Sequence, residues 1–276
     1  MFKYCFFNNK IIPVKKIRIS PNDLGILRGY GVFDFLRTYD GKPFLLKEHL
    51  IRFRNSAKTL NIEVPYGDEK IAEIIHKLLR RNKVKDVNVR IVLTGGPSHD
   101  AKTITSPTFY ILIEEIHDLP KEYFIDGIKV ITVNHKRENP GAKTLNYMKA
   151  ISIGIERESE GAYEIVYAPE GNVLEATTSN IFIIKNGALI TPKDGILIGT
   201  TRNFVIDIAK EMFEVIEKPI IIDELYSADE VFLTATNKEI LPVTEVNDRI
   251  IGNKKVGENT KKLIEMFRNR ILNNEY

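Results

Sequence analysis

"GAKTLNYMKA", residues 141–150, decides how the rest of the chain is read. Lys143 follows the loop-like "NHKRENPGA" and precedes Leu145, Tyr147 and Met148, which read as the start of a half-buried element. Lysine heads normally stay in water. A lysine at the mouth of a core element is either a surface cation at a helix start or an amine with a chemical task. The second reading is a Schiff-base lysine, whose pKa burial and neighbouring cations lower.

Upstream, "YCFFNNKIIP" reads as a hairpin turning at Asn8-Asn9, and "GVFDFLRTYDGKPFLL" as a second one turning at Asp40-Gly41. "LKEHLIRFRNSAKTLNI" places Leu46, Leu50, Phe53, Ala57 and Leu60 at helical spacing. "GDEKIAEIIHKLLRRN" is a second amphipathic helix, with Asp68 as its expected N-cap. "DVNVRIVLTGG" and "TFYILIEEI" read as strands. The polar stretch 117–127, "HDLPKEYFIDG", reads as a linker between a domain over 1–116 and another over 128–276.

Downstream of the linker come a strand, "IKVITV", the Lys143 segment, and one helix over "YMKAISIGIERESEG". Short β runs follow: "YEIVYAP", "NVLEATTSN", "IFIIKNG" and "ALITP". Helices are expected over "TTRNFVIDIAKEMF", "DELYSA" and the terminal "NTKKLIEMFRNRIL", with a strand at "EVFLTATN". The pattern is α+β in two unequal domains.

Composition narrows the function classes. The net charge of +3 is dispersed, whereas nucleic-acid binding calls for a clustered basic face. Cys5 is the only cysteine, so neither an intrachain disulfide nor a multi-cysteine metal site can form, and a reducing, cytoplasmic setting is the natural reading. No apolar run is long enough to span a bilayer, and the N-terminus lacks a signal-peptide pattern. The five histidines are scattered, so no metal cluster is expected.

Three further patterns carry chemistry. Gly199-Thr200-Thr201 puts a glycine and two hydroxyls at a helix N-terminus, which reads as a plain cap or as an anion site. Glu175, inside an apolar β run, is either an exposed strand residue or a carboxylate set against a cofactor's pyridine nitrogen. Thr234 and Thr236, where a strand ends, read as turn residues or as further phosphate ligands.

Joined in order, these segments resemble the class IV aminotransferases, the fold-type IV enzymes of pyridoxal 5'-phosphate (PLP). The run is Lys143-Thr-Leu-Asn-Tyr147, then Glu175-Ala-Thr-Thr-Ser-Asn180, then Leu189-Ile-Thr191, Gly199-Thr-Thr-Arg202 and Thr234-Ala-Thr236. "RGYGVFDFLRTYDGKPFLLKEHLIRF" resembles the family's N-terminal segment, so the likeness covers nearly the whole chain. It implies a small N-terminal α/β domain and a larger, β-barrel-like C-terminal domain with helices.

The resemblance also implies roles. Lys143 matches the lysine that bonds the cofactor and shuttles the proton. Glu175 matches the acid at the pyridine nitrogen, and Arg52, Thr200, Thr201 and Thr236 match phosphate ligands. Tyr147 matches a tyrosine at the cofactor's phenolic oxygen. Arg28, in a loop that reaches across a dimer in this family, and Arg90 are candidates for the substrate carboxylate. Phe33 falls in the side-chain pocket, Lys238 adds charge after the threonines, and Arg37 is a further candidate on the strand of Phe35. The implied assembly is a homodimer or larger homo-oligomer acting on amino acids and 2-oxo acids.

Within the family, Phe35 stands where branched-chain enzymes carry glycine, and "KTLN" matches the D-amino-acid and lyase branches. "TGGPSHD" offers His99 but no Arg-x-His pair. The expectation is a D-amino-acid transaminase of a non-standard kind, using 2-oxoglutarate or pyruvate. A branched-chain L-amino-acid enzyme comes second and 4-amino-4-deoxychorismate lyase third.

Overall fold

A computed structural model describes residues 2–276. They fall into two compact units: Met1–His117 with Ala142–Tyr147, and Asp118–Gly141 with Met148–Tyr276.

The first unit contains β1 (Tyr4–Phe7), β2 (Lys10–Pro13), α1 (Leu24–Arg28), β3 (Gly31–Tyr39), β4 (Lys42–Pro43), α2 (Leu46–Thr59), α3 (Asp68–Asn82), β5 (Asn88–Thr94) and β6 (Thr108–Glu114). Among the described residues its strands form one six-stranded sheet in the order β2-β1-β6-β5-β3-β4. Both expected hairpins form, turning where Asn8 and Asp40 take positive φ.

Helix α2 buries His49, Leu50, Phe53, Ser56 and Ala57, the i, i+1, i+4, i+7, i+8 face of a helix. The apolar members of this face join Leu36, Ile75, Leu78, Val89 and Ile91 in one core. The polar members, His49 and Ser56, meet Asp34 and the Lys143 backbone. Helix α3 is capped by Gly67 rather than Asp68. Asp68 instead accepts from Arg54 Nε at 2.5 Å, so a charge-assisted partner replaced the capping role.

The second unit contains α4 (Glu122–Ile125), β7 (Ile128–Val133), α5 (Met148–Ser152), α6 (Gly154–Ser159), β8 (Glu164–Tyr167), β9 (Asn172–Val173), β10 (Asn180–Lys185) and β11 (Ala188–Thr191). It continues with α7 (Thr200–Ala209), β12 (Glu214–Glu217), β13 (Ile220–Ile221), α8 (Ile222–Tyr226), β14 (Glu230–Ala235), β15 (Glu239–Val246), β16 (Arg249–Ile250) and α9 (Glu258–Leu272).

Among the described residues its main sheet runs β12-β11-β10-β14-β15-β7-β8, with β16 paired to β15. Backbone bonds from Tyr167 N to Glu175 O and from Thr177 N to Ile165 O tie the segment feeding β10 back onto β8. The sheet thereby curls toward closure, the arrangement that removes exposed edges. Ile181, Ile183, Leu233, Leu241 and Val243 fill its core.

Two elements differ from the sequence expectation. The stretch 117–127 includes α4, so it is partly ordered as helix. The single helix expected after Tyr147 is two short ones, α5 and α6, separated at Ile153 and resumed at Gly154. Met148, Ile151 and Ile155 on these helices are exposed, so no core holds them in one continuous helix.

Candidate active site

Residues 142–147 belong by packing to the first unit, where Lys143 lies. The lysine segment runs as an extra edge against β3. Phe33 N donates to Lys143 O at 3.0 Å, Leu145 N donates to Gly31 O at 2.9 Å, and Thr144 bridges Val32. Gly31 has to be glycine, because a Cβ there would meet Leu145 Cδ1 and Leu93 O at 2.7 Å. Lys143 N donates to Ser56 Oγ at 3.0 Å, and that hydroxyl donates to Arg52 O at 2.9 Å. One serine therefore joins the lysine backbone to the turn of α2 that carries Arg52.

The Lys143 ammonium sits over the Phe33 ring, 4.6 Å from its centroid, and Tyr147 packs against Phe33 at 5.8 Å. An aromatic wall of this kind desolvates an amine while giving it a cation–π contact.

Beneath it lies a buried polar cluster. Asp34 accepts from Arg52 Nε at 2.9 Å and from Arg52 Nη2 at 2.8 Å, and its Oδ1 is 2.6 Å from His49 Nδ1. A carboxylate only accepts, so Nδ1 carries the proton. Burial pushes the Asp34 pKa up, but the Arg52 and His49 interactions outweigh it and hold the carboxyl well below its usual range. Burial lowers the His49 pKa; Asp34 pulls it back up, while Arg52 and Lys143 lower it further, and the imidazole ends below its ordinary value. The two Asp34 bonds fix the Arg52 fork.

On the neighbouring strand, Arg90 donates from Nε and Nη2 to Glu114 at 2.5 and 2.9 Å and stacks over Phe35 and Phe33. Its charge is thus already shared with a carboxylate. Arg28 is exposed at the end of α1 and donates to its neighbour's carbonyl, Leu27 O, at 2.9 Å. Arg37 stacks over Tyr39, 5.0 Å from the ring centroid.

The second unit holds the other candidates. Glu175 is buried and answers the sequence's cost argument with a partner that the sequence did not reveal. Its Oε1 accepts from Arg137 Nε at 2.8 Å, and its Oε2 accepts from Leu197 N at 2.9 Å. Arg137 also donates to Pro140 O at 2.6 Å. Asn180 Nδ2 donates to Leu197 O at 2.8 Å, so Glu175 and Asn180 together hold the loop that leads to Gly199.

Helix α7 starts at Thr200 with no side-chain cap on Gly199, and Thr200 and Thr201 are buried in its first turn. A Cβ on Gly199 would sit 2.2 Å from Asn180 Oδ1. Arg202 is fully buried, but it donates to Pro192 O at 2.8 Å and Glu217 at 2.7 Å; it braces α7 rather than facing a ligand. Thr236 lies in the turn between β14 and β15. Just before it, the Thr234 hydroxyl is buried without a hydrogen-bond partner among the described residues.

Lys238 departs from its expected place. It is 4% exposed, and its ammonium is spent on Glu164 at 2.6 Å, Thr178 Oγ1 at 2.6 Å and Ser179 Oγ at 2.8 Å. An ammonium has three donors, and all three are used. No donor is left for a substrate carboxylate, so the substrate-binding role expected for Lys238 is withdrawn.

The donor chemistry fits a phosphorylated pyridine aldehyde. A helix N-terminus with two hydroxyls and an unpartnered buried threonine hydroxyl suits a phosphate. Within the second unit, a buried carboxylate oriented by Arg137 would suit a ring nitrogen; in the first unit, an amine beside an aromatic wall would suit an aldehyde.

A fold of this kind carrying these groups defines a PLP-dependent transaminase. The chain belongs to the Amino-transferase class IV family, which matches residues 31–246, and its cofactor is pyridoxal 5'-phosphate. It is 40% identical over 275 residues to the "Putative branched-chain-amino-acid aminotransferase" of Methanocaldococcus jannaschii, covering 95% of this chain and 94% of the relative. It is 28% identical over 269 residues to the "D-alanine aminotransferase" of Staphylococcus epidermidis, with 95% of each chain covered. The branched-chain aminotransferase of the thermophilic archaeon Thermoproteus uzoniensis, solved with norvaline, superposes with a TM-score of 0.90 at 28% identity, covering 100% of this chain and 96% of that one. No helix among the described residues is long and apolar enough to cross a membrane.

Proposed function

We propose that the enzyme transfers the amino group of branched-chain L-amino acids to a 2-oxo acid such as 2-oxoglutarate. The observation that carries this reading is the aromatic wall of Phe33 and Tyr147 beside the Lys143 amine, with Arg90 stacked on the same phenylalanine. An apolar wall suits an aliphatic side chain. Arg90 occupies the strand position where branched-chain enzymes carry arginine, and the M. jannaschii relative supports the same assignment. The D-amino-acid reading is favoured by the Lys143-to-Asn146 spacing and by the staphylococcal relative. It is weakened by "TGGPSHD", which has no arginine to pair with His99.

In this proposal Lys143 holds the cofactor covalently. Arg52, Thr200, Thr201 and Thr236 hold its phosphate, and Glu175 faces its ring nitrogen. Tyr147 serves its phenolic oxygen, and Arg28 and Arg90 read substrate carboxylates. When bound, the cofactor supplies the aldehyde carbon and an electron-withdrawing ring. Lys143 Nζ is the base that takes the proton from the substrate Cα and returns it on the other side of the transfer. Arg137 keeps Glu175 oriented, and Ser56 keeps the Lys143 backbone in place. The exposed Ile26 and Leu27 beside Arg28 form an apolar tip in keeping with a homodimer, and the buried Cys5 is in keeping with a reducing cytoplasm.

The test is turnover by purified enzyme on a panel of D- and L-amino acids with 2-oxoglutarate. L-leucine, L-isoleucine and L-valine should be the best donors; turnover confined to D-amino acids would overturn the reading. Lys143→Ala should abolish transfer with every donor.

A further inference from the structure

The Glu164–Lys238 pair has no part in the roles just assigned, yet it is buried and densely hydrogen-bonded. Glu164 Oε1 accepts from Thr178 N at 2.6 Å, Thr178 Oγ1 at 2.8 Å and Thr177 Oγ1 at 3.1 Å; Oε2 accepts from Ser179 Oγ at 2.8 Å and Lys238 Nζ at 2.6 Å. Every polar side chain of the turn between Glu175 and Asn180 is thus gathered on one carboxylate. The Lys238 ammonium also lies over the Tyr163 ring, 5.5 Å from its centroid. Burial pushes the Glu164 pKa up, but the Lys238 charge and then the turn's hydroxyls outweigh it, so the carboxylate stays ionised.

Lys238 comes from a different turn. Its N–H donates to Ala235 O at 3.0 Å, closing the β14–β15 hairpin that carries Thr236. Strands β10 and β14 are paired with Asn180 opposite Thr234, so both turns emerge at the same end of the same strand pair.

We propose that the Lys238–Glu164 pair is a positioning device of the cofactor site, locking the turn that carries Thr236 to the turn that carries Glu175 before the cofactor arrives. The proposal rests on the transaminase reading. A buried ion pair gives little net stability compared with an apolar pair of the same volume, so its use here is registry. Two turns that each supply one contact to a rigid ligand must keep a fixed spacing, and a saturated charge pair permits only one.

Three proteins test it: wild type, Lys238→Met, and the double variant Glu164→Gln/Lys238→Met, which leaves no uncompensated buried charge. The dissociation constant for pyridoxal 5'-phosphate, from visible absorbance, should rise about tenfold or more in the double variant. Thermal melting of its apoprotein should stay close to wild type. In Lys238→Met alone, Glu164 loses its cation, so the ratio of its dissociation constant to that of wild type should vary with pH; the ratio for the double variant should not.

A folded double variant with wild-type affinity overturns the proposal and leaves the transaminase reading standing. A wild-type protein that takes up no cofactor overturns both. Hydrogen exchange on the wild-type protein needs no variant to fold. The amides of residues 176–179 and 235–238 should be equally protected with and without cofactor, and protection gained only on cofactor addition would overturn the lock.

Discussion

Replacing Asp34 with asparagine should be strongly destabilising. The side chain keeps its shape, but one acceptor becomes a donor facing the Arg52 fork and the His49 Nδ1–H. The wild-type carboxylate is fully buried and accepts two charge-assisted bonds from Arg52 and one from His49. Removing one partner of a buried pair costs about 3–5 kcal/mol. Arg52 keeps 12% of its side chain exposed, so water recovers part of that and the low end, about 3 kcal/mol, applies.

The chain has no tryptophan, so unfolding in urea is best followed by far-ultraviolet circular dichroism. The midpoint should fall with an unchanged slope. The difference from wild type should also depend on pH. Asp34 has a depressed folded pKa, so its stabilising contribution is complete above the ordinary carboxylate value near about 4 and fades as the pH falls below it. The gap between the two proteins should therefore narrow progressively as the pH falls below about 4. A loss below about 1 kcal/mol at neutral pH, or a gap that does not change with acid, would refute the reasoning.

His49 sets a second limb: its folded pKa is lowered, so below about pH 6.5 the unfolded chain takes up a proton that the folded chain refuses. Wild-type stability should fall by up to about 1.4 kcal/mol per pH unit there, and His49→Gln should flatten that slope. Ser56→Ala leaves the Lys143 N–H without its partner and should cost about 1–3 kcal/mol in urea unfolding, with turnover falling further than cofactor affinity. Gly199→Ala puts a methyl group 2.2 Å from Asn180 Oδ1, which should cost about 1–3 kcal/mol and weaken binding of inorganic phosphate in a competition titration. Arg137→Met removes the guanidinium partner of the buried Glu175 carboxylate and should destabilise the protein by about 3–5 kcal/mol, measured by the same urea titration.

The legible parts of the chain were those whose signal is local. The hairpins at Asn8 and Asp40, the buried stripe of α2 and the Gly199-Thr200-Thr201 helix start are each written within about a dozen residues, and each formed. Glu175 was legible as a problem, a carboxylate in an apolar run. Its solution, Arg137, was hidden in the basic loop "NHKRENPGA", which reads as solvated. Lys238 sits in "TNKE", a stretch with the composition of a surface turn. Its burial depends on Glu164, 74 positions earlier, and no periodicity connects the two. The same holds for His49 and Ser56: helical spacing puts them on the buried face of α2, but their partners are fixed only once β3 and the lysine segment lie against that helix. The break at Ile153 was missed because the apolar spacing runs on through it, although the spaced residues Met148, Ile151 and Ile155 face outward.

The lysine segment reaches the first unit only after the chain has already entered the second, and the chain then returns to the second for good. Cutting the gene once, anywhere in the stretch around residue 117, would send Arg52 and Lys143 to different fragments. Chimaeras between relatives that exchange whole halves at that point would also pair β3 of one parent with the lysine segment of another. Recombination that preserves the enzyme therefore needs two junctions around residues 142–147, and libraries built with a single crossover should be depleted of active members.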